Sequence, residues 1–269
     1  MPATEVDTSF AAEELAACVR EAGTVALSMF QKPIRSWTKG PAESPVCEAD
    51  VAVDEFLRQR LTAIDATVAW LSEESADDPA RLDARYVWVI DPIDGTRAYI
   101  EGLQDWTISA ALTDRGRPIA ACLYAPATGE FFQARTASGA TLNGAAIAAT
   151  SGPELEAARI AGPKRFIDRF AAVAPPIIAV PRVRSLALRL ARVAQGAVDL
   201  AIAGGNSHDW DLAAADLLVH EAGGLMTSLG GGILTYNRAV PRHGMLVAAG
   251  RERHAAFMAL LGDGRLAFS

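Results

Sequence analysis

The stretch Tyr86-Val87-Trp88-Val89-Ile90-Asp91-Pro92-Ile93-Asp94-Gly95-Thr96 decides the fold of this chain. Its first five residues are apolar or aromatic and predict a buried strand. Asp91 follows where that strand ends, which is the edge at which open sheets place their sites. Gly95 permits a backbone conformation that other residues avoid. A helix predicted at about Arg97–Ile100, with Thr96 near its start, would leave the Gly95 and Thr96 N–H groups free to hold a phosphate oxygen.

Three other segments also deliver acids at the ends of predicted elements. Glu73 follows a short strand, Asp50 lies near the start of a helix, and Asp211 opens another helix. Taken singly, each is typical of an N-cap or a solvated turn, but a cap does not explain both Asp91 and Asp94. If these acids converge, two unit charges 4 Å apart repel by about 4 kcal/mol at an effective dielectric of 20. Hard divalent cations offset such repulsion, and ligands that are all oxygen favour Mg²⁺.

Hydrophobic periodicity outlines the remaining elements. It predicts helices at about Ser9–Phe30, Glu48–Ile64, Leu186–Ala194, Asp211–Ala222 and Glu252–Leu261. It predicts strands at Thr67–Leu71, Tyr86–Ile90, Trp106–Thr113, Pro118–Tyr124, Glu130–Ala134, Arg159–Ala161, Ile177–Val180, Val198–Ile202, Leu225–Thr227 and Met245–Ala249. Prolines mark residues 31–45 as a loop. Hairpin turns at 114–116 and 128–129 make the middle antiparallel, whereas strands and helices alternate after about Ser151.

We therefore expect two halves within one compact unit. Residues 1–150 would form an α+β half with an antiparallel sheet and most of the metal ligands. Residues 151–269 would form an α/β half with Asp211 and the substrate-binding residues. A fold of this α/β (α+β) class needs a normal-sized core, which 269 residues can supply.

Composition excludes several function classes. The chain has 25 basic and 32 acidic residues, a net charge of −7, which argues against a binder of nucleic-acid polymers or of membrane surfaces. No apolar run reaches the roughly 18–20 residues of a transmembrane span, and the N-terminus lacks the basic region of a secretory signal. Three cysteines without a CxxC pair favour a reducing compartment, so we expect a cytoplasmic protein.

Four blocks of this sequence together resemble the inositol monophosphatase family. They are Asp91–Thr96 (DPIDGT), Trp210-Asp211 with Glu221–Gly224 (EAGG), Ser72–Ser75, and Ser44–Asp50. They occur in the family's order and span about Ser44 to Gly224. The resemblance implies a layered αβαβα sandwich of the inositol monophosphatase and fructose-bisphosphatase type. It also implies a lithium-sensitive phosphatase that uses two to three Mg²⁺ ions, and a possible homodimer.

The resemblance also assigns roles to individual residues. Glu73, Asp91 and the Ile93 carbonyl would bind one Mg²⁺, and Asp91, Asp94 and Asp211 would bind a second. Glu73 would also help to hold a third, weaker ion.

The catalytic roles come from the same resemblance. Asp50 and Thr96 would position and deprotonate the attacking water, and the Gly95 and Thr96 amides would hold the phosphate. No nucleophilic side chain is required, and the three-residue spacing of Asp91 and Asp94 differs from the two-residue spacing of phosphatases that form a phosphoaspartate.

Two departures from the family bear on the substrate and on the site. Inositol-specific members carry a Glu seven residues before the motif aspartate, whereas Gly204 stands there in this chain. Cys47 occupies a position that usually holds Thr, and no chemical role is assigned to it. The segments Leu71–Glu74 and Leu123–Pro126 are similar to the bacterial 3′(2′),5′-bisphosphate nucleotidase branch. These features favour a bisphosphate nucleotide over an inositol phosphate.

A second phosphate on the substrate would need cationic or polar partners in the second half of the chain. The candidates are Lys164, Arg165, Arg182, Arg184, Ser185 and His208. Each basic pair is also typical of a solvated surface, and His208 is also typical of a structural histidine.

The sequence thus predicts a Mg²⁺-dependent phosphomonoesterase acting on adenosine 3′,5′-bisphosphate. Two alternatives remain open at this stage. One is an inositol-1-monophosphatase or a broad small-metabolite phosphatase. The other, of a different class, is a metal-binding regulatory protein without turnover.

Overall fold

A computed structural model describes residues 7–40, 43–173 and 176–268 of the chain. The helices are α1 (Thr8–Met29), α2 (Glu48–Ile64), α3 (Thr96–Ile100), α4 (Lys164–Ala171), α5 (Leu186–Ala194), α6 (Asp209–Glu221) and α7 (Arg251–Gly262). The strands are β1 (Ser36–Lys39), β2 (Ser44–Cys47), β3 (Ala69–Ser72), β4 (Tyr86–Asp94), β5 (Thr107–Asp114), β6 (Arg117–Ala125), β7 (Glu130–Arg135), β8 (Ala140–Leu142), β9 (Ala145–Ile147), β10 (Arg159–Ala161), β11 (Ile178–Ala179), β12 (Leu200–Ala203), β13 (Ser207–His208), β14 (Gly224–Ser228), β15 (Arg242–His243) and β16 (Leu246–Gly250).

Two larger sheets organise these elements. The first has seven strands in the order β3-β4-β5-β6-β7-β8-β9, and all of its pairings are antiparallel except that of β3 with β4. Asp114 pairs with Arg117, so Arg115 and Gly116 form a two-residue turn between β5 and β6, with φ values of 48° and 76°. Two positive φ values fit the right-handed twist of a hairpin. The second sheet has the order β11-β10-β12-β16-β14 and mixes parallel and antiparallel pairs.

Five layers pack together through three apolar clusters, of which the middle one lies on both sides of the α5–α6 layer. In β4, Trp88 and Ile90 face α1 and α2, whereas Val87 and Val89 face α5 and α6, as the period-2 alternation of a strand requires. The helices α5 and α6 share the middle cluster with one face of the second sheet. The other face of that sheet packs on α4 and α7. The predicted αβαβα sandwich is confirmed, and the division near residue 150 stays a prediction.

Four local predictions need correction. Most of the β1–β2 hairpin falls in the loop predicted at residues 31–45. Strand β1 is mostly exposed and β2 contains Pro45, so neither shows a clear periodicity; residues 41 and 42 lie outside the described residues. The β4 strand continues past Ile90 to Asp94 through a bulge. Helix α4 was not predicted. Helix α1 begins at Thr8 rather than at Ser9, and the side chain of Asp7 caps it by accepting from two backbone amides.

Within the described residues, no helix combines the length and the apolar character that crossing a bilayer demands.

Candidate active site

The bulge at the end of β4 turns two aspartates toward the same cavity. Asp91 pairs with Ser109 and Asp94 with Thr107, so β4 uses one residue more than β5 between these pairs. The Asp91 Oδ1 atom accepts a hydrogen bond from the Ile93 N–H at 3.0 Å, which fixes the turn. Both carboxylates therefore emerge from a rigid strand end.

Gly95 allows the chain to leave β4 and start α3 within one residue. Its φ is 99°, and a Cβ there would lie 3.1 Å from Asp105 O and 3.3 Å from the Cα of Trp106. A side chain at this position is both strained and crowded. The short helix begins at Thr96 as the sequence predicts, with Gly95 as its N-cap.

Asp50 and Thr96 meet across 46 positions of sequence. The Thr96 hydroxyl donates to Asp50 Oδ1 at 2.9 Å and lies 3.1 Å from Ile93 O. The other carboxylate oxygen of Asp50 accepts from the Cys47 backbone N–H at 2.9 Å and lies 2.8 Å from the Cys47 sulfur. Burial raises the pKa of Asp50 to about 6, although these hydrogen bonds act to lower it. Burial, followed by the Asp50 charge, raises the pKa of Cys47 to about 12, so its thiol remains protonated and can donate.

Asp211 reaches the cavity from the first turn of α6. Its Oδ2 atom accepts from the His208 N–H at 2.7 Å, which caps the helix. The His208 ring stacks on Trp210 with centroids 4.7 Å apart, and its Nδ1 atom lies 3.9 Å from Asp211 Oδ2. Burial lowers the pKa of His208, so the ring is neutral at neutral pH. The predicted substrate contact of His208 stays a prediction.

The acids converge as a cation site requires. Asp91, Asp94 and Asp211 each offer an oxygen within 4.8 Å of the others. These three residues line a cavity of about 370 Å³ together with Glu73 and Ile93. Burial, followed by repulsion from neighbouring acids, raises the pKa of Asp91 and of Asp211 well above the usual range. Oxygen-only donors at this separation fit a hard divalent cation, which would replace the missing counter-charge.

Two basic side chains that sequence reasoning missed supply part of that counter-charge. Lys39 in the β1–β2 hairpin lies 3.4 Å from a Glu73 oxygen and 2.7 Å from a Glu74 oxygen. The charge of Arg189 on α5 acts to lower the pKa of Asp94, and burial lowers the pKa of Arg189 itself. The Nε atom of Arg189 is buried without a hydrogen-bond partner among the described residues. Apolar periodicity cannot reveal either contact, because each joins distant segments.

The hydroxyl of Ser185 is buried and hydrogen-bonded to Asp94. Its side chain is 0% exposed, and its hydroxyl lies 2.6 Å from Asp94 Oδ2, as does the Ala187 N–H. Ser185 also caps α5 by accepting from the Leu188 N–H at 2.9 Å. The predicted substrate contact of Ser185 stays a prediction, and its hydroxyl already bonds a neighbouring acid and its own helix.

The predicted basic contacts divide into two groups. Arg184 and Arg182 line the acidic cavity. Arg184 also lies 3.1 Å from a Glu101 oxygen, and its backbone N–H donates to Asp105 at 2.7 Å. Lys164 pairs with Asp168 on the surface of α4, and Arg165 lines a separate cavity of about 170 Å³. The roles proposed for Lys164 and Arg165 stay predictions.

The sequence of this chain has counterparts among known proteins. Residues 7–264 match the inositol monophosphatase family. The chain is 32% identical over 209 residues to the inositol-1-monophosphatase of Rhizobium meliloti, covering 72% of this chain and 75% of the relative. It is 29% identical over 214 residues to the 3′(2′),5′-bisphosphate nucleotidase CysQ of Aggregatibacter actinomycetemcomitans, covering 72% and 76%.

A solved structure extends the likeness to the fold. The extragenic suppressor protein SuhB of Bartonella henselae superposes with a TM-score of 0.82 at 26% identity, covering 94% of this chain and 98% of that one. Because the family match covers nearly the whole chain and the acids of its motifs meet in one cavity, this chain belongs to the inositol monophosphatase family, whose members are phosphatases.

Proposed function

We propose that this chain is a Mg²⁺-dependent phosphomonoesterase that prefers 3′(2′),5′-bisphosphate nucleotides such as adenosine 3′,5′-bisphosphate. The observation that carries the proposal is the meeting of Asp91, Asp94 and Asp211 in the cavity that Gly95 and Thr96 also line. Carboxylates alone would repel a phosphate ester, so a cation is needed for that cavity to accept one.

The chain offers a ligand set for two to three Mg²⁺ ions. Glu73, Asp91 and the Ile93 carbonyl would hold one ion, and Asp91, Asp94 and Asp211 would hold a second. Glu73 would also help to hold a third ion. When bound, Mg²⁺ lowers the pKa of water and offsets charge on the phosphoryl oxygens.

The residues of the chain would then orient and deprotonate the attacking water. Thr96 accepts the proton of that water as its own hydroxyl proton moves toward Asp50 Oδ1, with which it is hydrogen-bonded. With a pKa of about 6, Asp50 is mostly ionised at pH 7 and can take that proton. Cys47 holds the second oxygen of Asp50, which fixes the direction of the carboxylate. The Gly95 and Thr96 amides would hold the phosphate at the start of α3.

The substrate preference rests on the basic wall of the same cavity. Arg182 and Arg184 line it and can bind a second phosphate. Gly204 stands where inositol-specific members carry a Glu, and one relative is a bisphosphate nucleotidase. The second candidate is an inositol-1-monophosphatase, which the 32% identical relative of that name favours.

Phosphate release tests the reaction. We expect release from adenosine 3′,5′-bisphosphate to require Mg²⁺, to stop in EDTA, and to fall about 100-fold or more in Asp94→Asn. Asp168→Asn, which changes an exposed acid on α4, serves as the matched control and should keep full activity. Full turnover in EDTA would refute the metal requirement. Mg²⁺ binding without turnover on any phosphate ester would instead favour a regulatory protein.

The kcat/KM values for different substrates test the preference separately. We expect the value for adenosine 3′,5′-bisphosphate to exceed those for inositol 1-phosphate and adenosine 5′-monophosphate. A higher value for inositol 1-phosphate would refute the nucleotidase assignment and leave the phosphatase assignment intact.

A further inference from the structure

The largest cavity described for this chain lies away from the acids. Its volume is about 660 Å³, against about 370 Å³ for the acidic cavity. It lies at the start of β4, beside Arg85, whereas Asp91 and Asp94 lie at the end of that strand. At about 3.3 Å per residue, the six positions from Arg85 to Asp91 separate the nearest lining residues of the two cavities by about 20 Å. A volume of this size suits a metabolite.

The lining of this cavity is basic in a chain whose net charge is −7. Arg85, Arg115 and Arg238 line it, together with one acid, Asp83. Arg85 is neutralised by Asp114 through two contacts of 2.9 Å. Among the described residues, neither Arg115 nor Arg238 forms an ion pair with a carboxylate, and the one hydrogen bond described for the Arg238 side chain goes to the Arg242 carbonyl. Two guanidinium groups therefore retain the capacity to bind an anion.

The walls of this cavity are held in place from both sides. The Tyr236 N–H donates to Gly116 O at 3.0 Å, which joins the β5–β6 turn to the segment that follows β14. The buried Arg81 donates to the Asn237 side chain at 2.7 Å, and the Asn237 amide group donates back to Arg81 O at 2.8 Å. The Asn237 backbone N–H donates to Asp209 at 2.6 Å. A site built from fixed segments loses little conformational entropy on binding a ligand.

The position of Arg115 adds a second observation. It occupies the first central residue of the β5–β6 turn with a φ of 48°, where Asn, Asp or Gly is favoured. A long basic side chain in this left-handed position is strained, and no hydrogen bond is described for its guanidinium group. The turn thus presents a cation at the rim of the cavity at some cost in stability.

We propose that this cavity is a second, non-catalytic site that binds an oligophosphate group through Arg115 and Arg238. Guanidinium groups bind phosphate oxygens through paired, charge-assisted hydrogen bonds, and two of them around one metabolite-sized cavity match a ligand with several phosphates. The site is far from the acids and needs no divalent cation. The oligophosphate can be free or can belong to a nucleotide.

Isothermal titration of the full chain with inorganic tripolyphosphate, without added divalent metal, tests the proposal. The unneutralised acids of the other cavity repel anions under these conditions, which restricts binding to the basic cavity. We expect one-to-one binding that weakens with added salt and that falls at least tenfold in Arg115→Glu/Arg238→Glu. If that variant fails to fold, Arg115→Gln/Arg238→Gln makes the same comparison with less repulsion.

A matched double variant separates local binding from net charge. Arg58→Glu/Arg251→Glu changes two exposed arginines on α2 and α7 by the same total charge and should bind as the unchanged chain does. A parallel titration with adenosine 5′-triphosphate identifies the source: tighter binding than tripolyphosphate assigns a nucleotide, and equal binding assigns the free oligophosphate. No binding of tripolyphosphate to the unchanged chain, or equal weakening in the two double variants, would overturn the proposal. The titration involves no turnover, so its result is independent of the proposed phosphatase activity.

Discussion

Replacing Ser185 with alanine should damage both the fold and the acidic cavity. The hydroxyl caps α5 through the Leu188 N–H and also bonds Asp94 Oδ2. Loss of a serine cap costs about 1 kcal/mol. Loss of a buried hydrogen bond to an ionised group costs about 1.5–3 kcal/mol. We therefore expect the free energy of unfolding to fall by about 2–4 kcal/mol in Ser185→Ala.

The glycine variant separates the two contributions. Glycine caps a helix nearly as well as serine, so Ser185→Gly should lose the bond to Asp94 while keeping most of the cap. Urea unfolding measures the stability of both variants. The Mg²⁺ concentration that gives half-maximal phosphatase activity measures the site, and we expect it to rise severalfold in both, because Asp94 then loses its side-chain partner and keeps the backbone bonds from the start of α5.

Asp7→Ala provides the matched control, because Asp7 caps α1 away from the cavity. It should lose about 1 kcal/mol of stability and keep the Mg²⁺ dependence of the unchanged chain. The reasoning is refuted if Ser185→Ala loses no more stability than Asp7→Ala and keeps the same Mg²⁺ dependence.

Three further predictions concern charge. The raised pKa values of Asp91 and Asp211 mean that the metal-free folded chain binds more protons than the unfolded chain, so its stability should fall as pH rises above the usual carboxyl range. Melting temperatures in EDTA at pH 5 and pH 8 check this. A fall in melting temperature between these pH values that is as large in Asp91→Asn as in the unchanged chain would contradict it. Arg189→Met removes a positive charge beside Asp94 and should tighten Mg²⁺ binding several-fold by calorimetry, whereas Arg58→Met should not. Arg184→Met should lower kcat/KM about tenfold for adenosine 3′,5′-bisphosphate and little for p-nitrophenyl phosphate; equal losses would exclude a role in binding a second phosphate.

The sequence predicted the elements whose patterns are local. The bounds of α2 and α5 agree with prediction, because a clear apolar face runs through each segment. The α4 helix was missed although Phe166 and Phe170 lie four residues apart on its buried face, because eight residues give only two turns of pattern. The β1–β2 hairpin was missed because β1 is mostly exposed and β2 is a four-residue strand that contains Pro45.

The site was predicted through its acids but not through the groups that hold them. Strand and helix ends suggested that Asp91, Asp94 and Asp211 would meet, and they do. The buried role of Ser185 and the charge of Arg189 beside Asp94 depend on contacts between residues more than 90 positions apart. Propensity and periodicity describe neighbours within a few turns, so they carry no information about such partners.

The hydrogen bonds between Asp94 and the start of α5 have a consequence for the order of folding. Asp94 and Ser185 are 91 positions apart, and Asp211 comes from a later helix, so the triad of Asp91, Asp94 and Asp211 is complete only after α6 has packed on the first sheet. Contacts of such long range form late, because closing a large loop costs entropy before the contacts that offset this cost can form. A cation held by the triad would therefore slow the unfolding rate and leave the early refolding rate unchanged, as expected for interactions absent from the transition state.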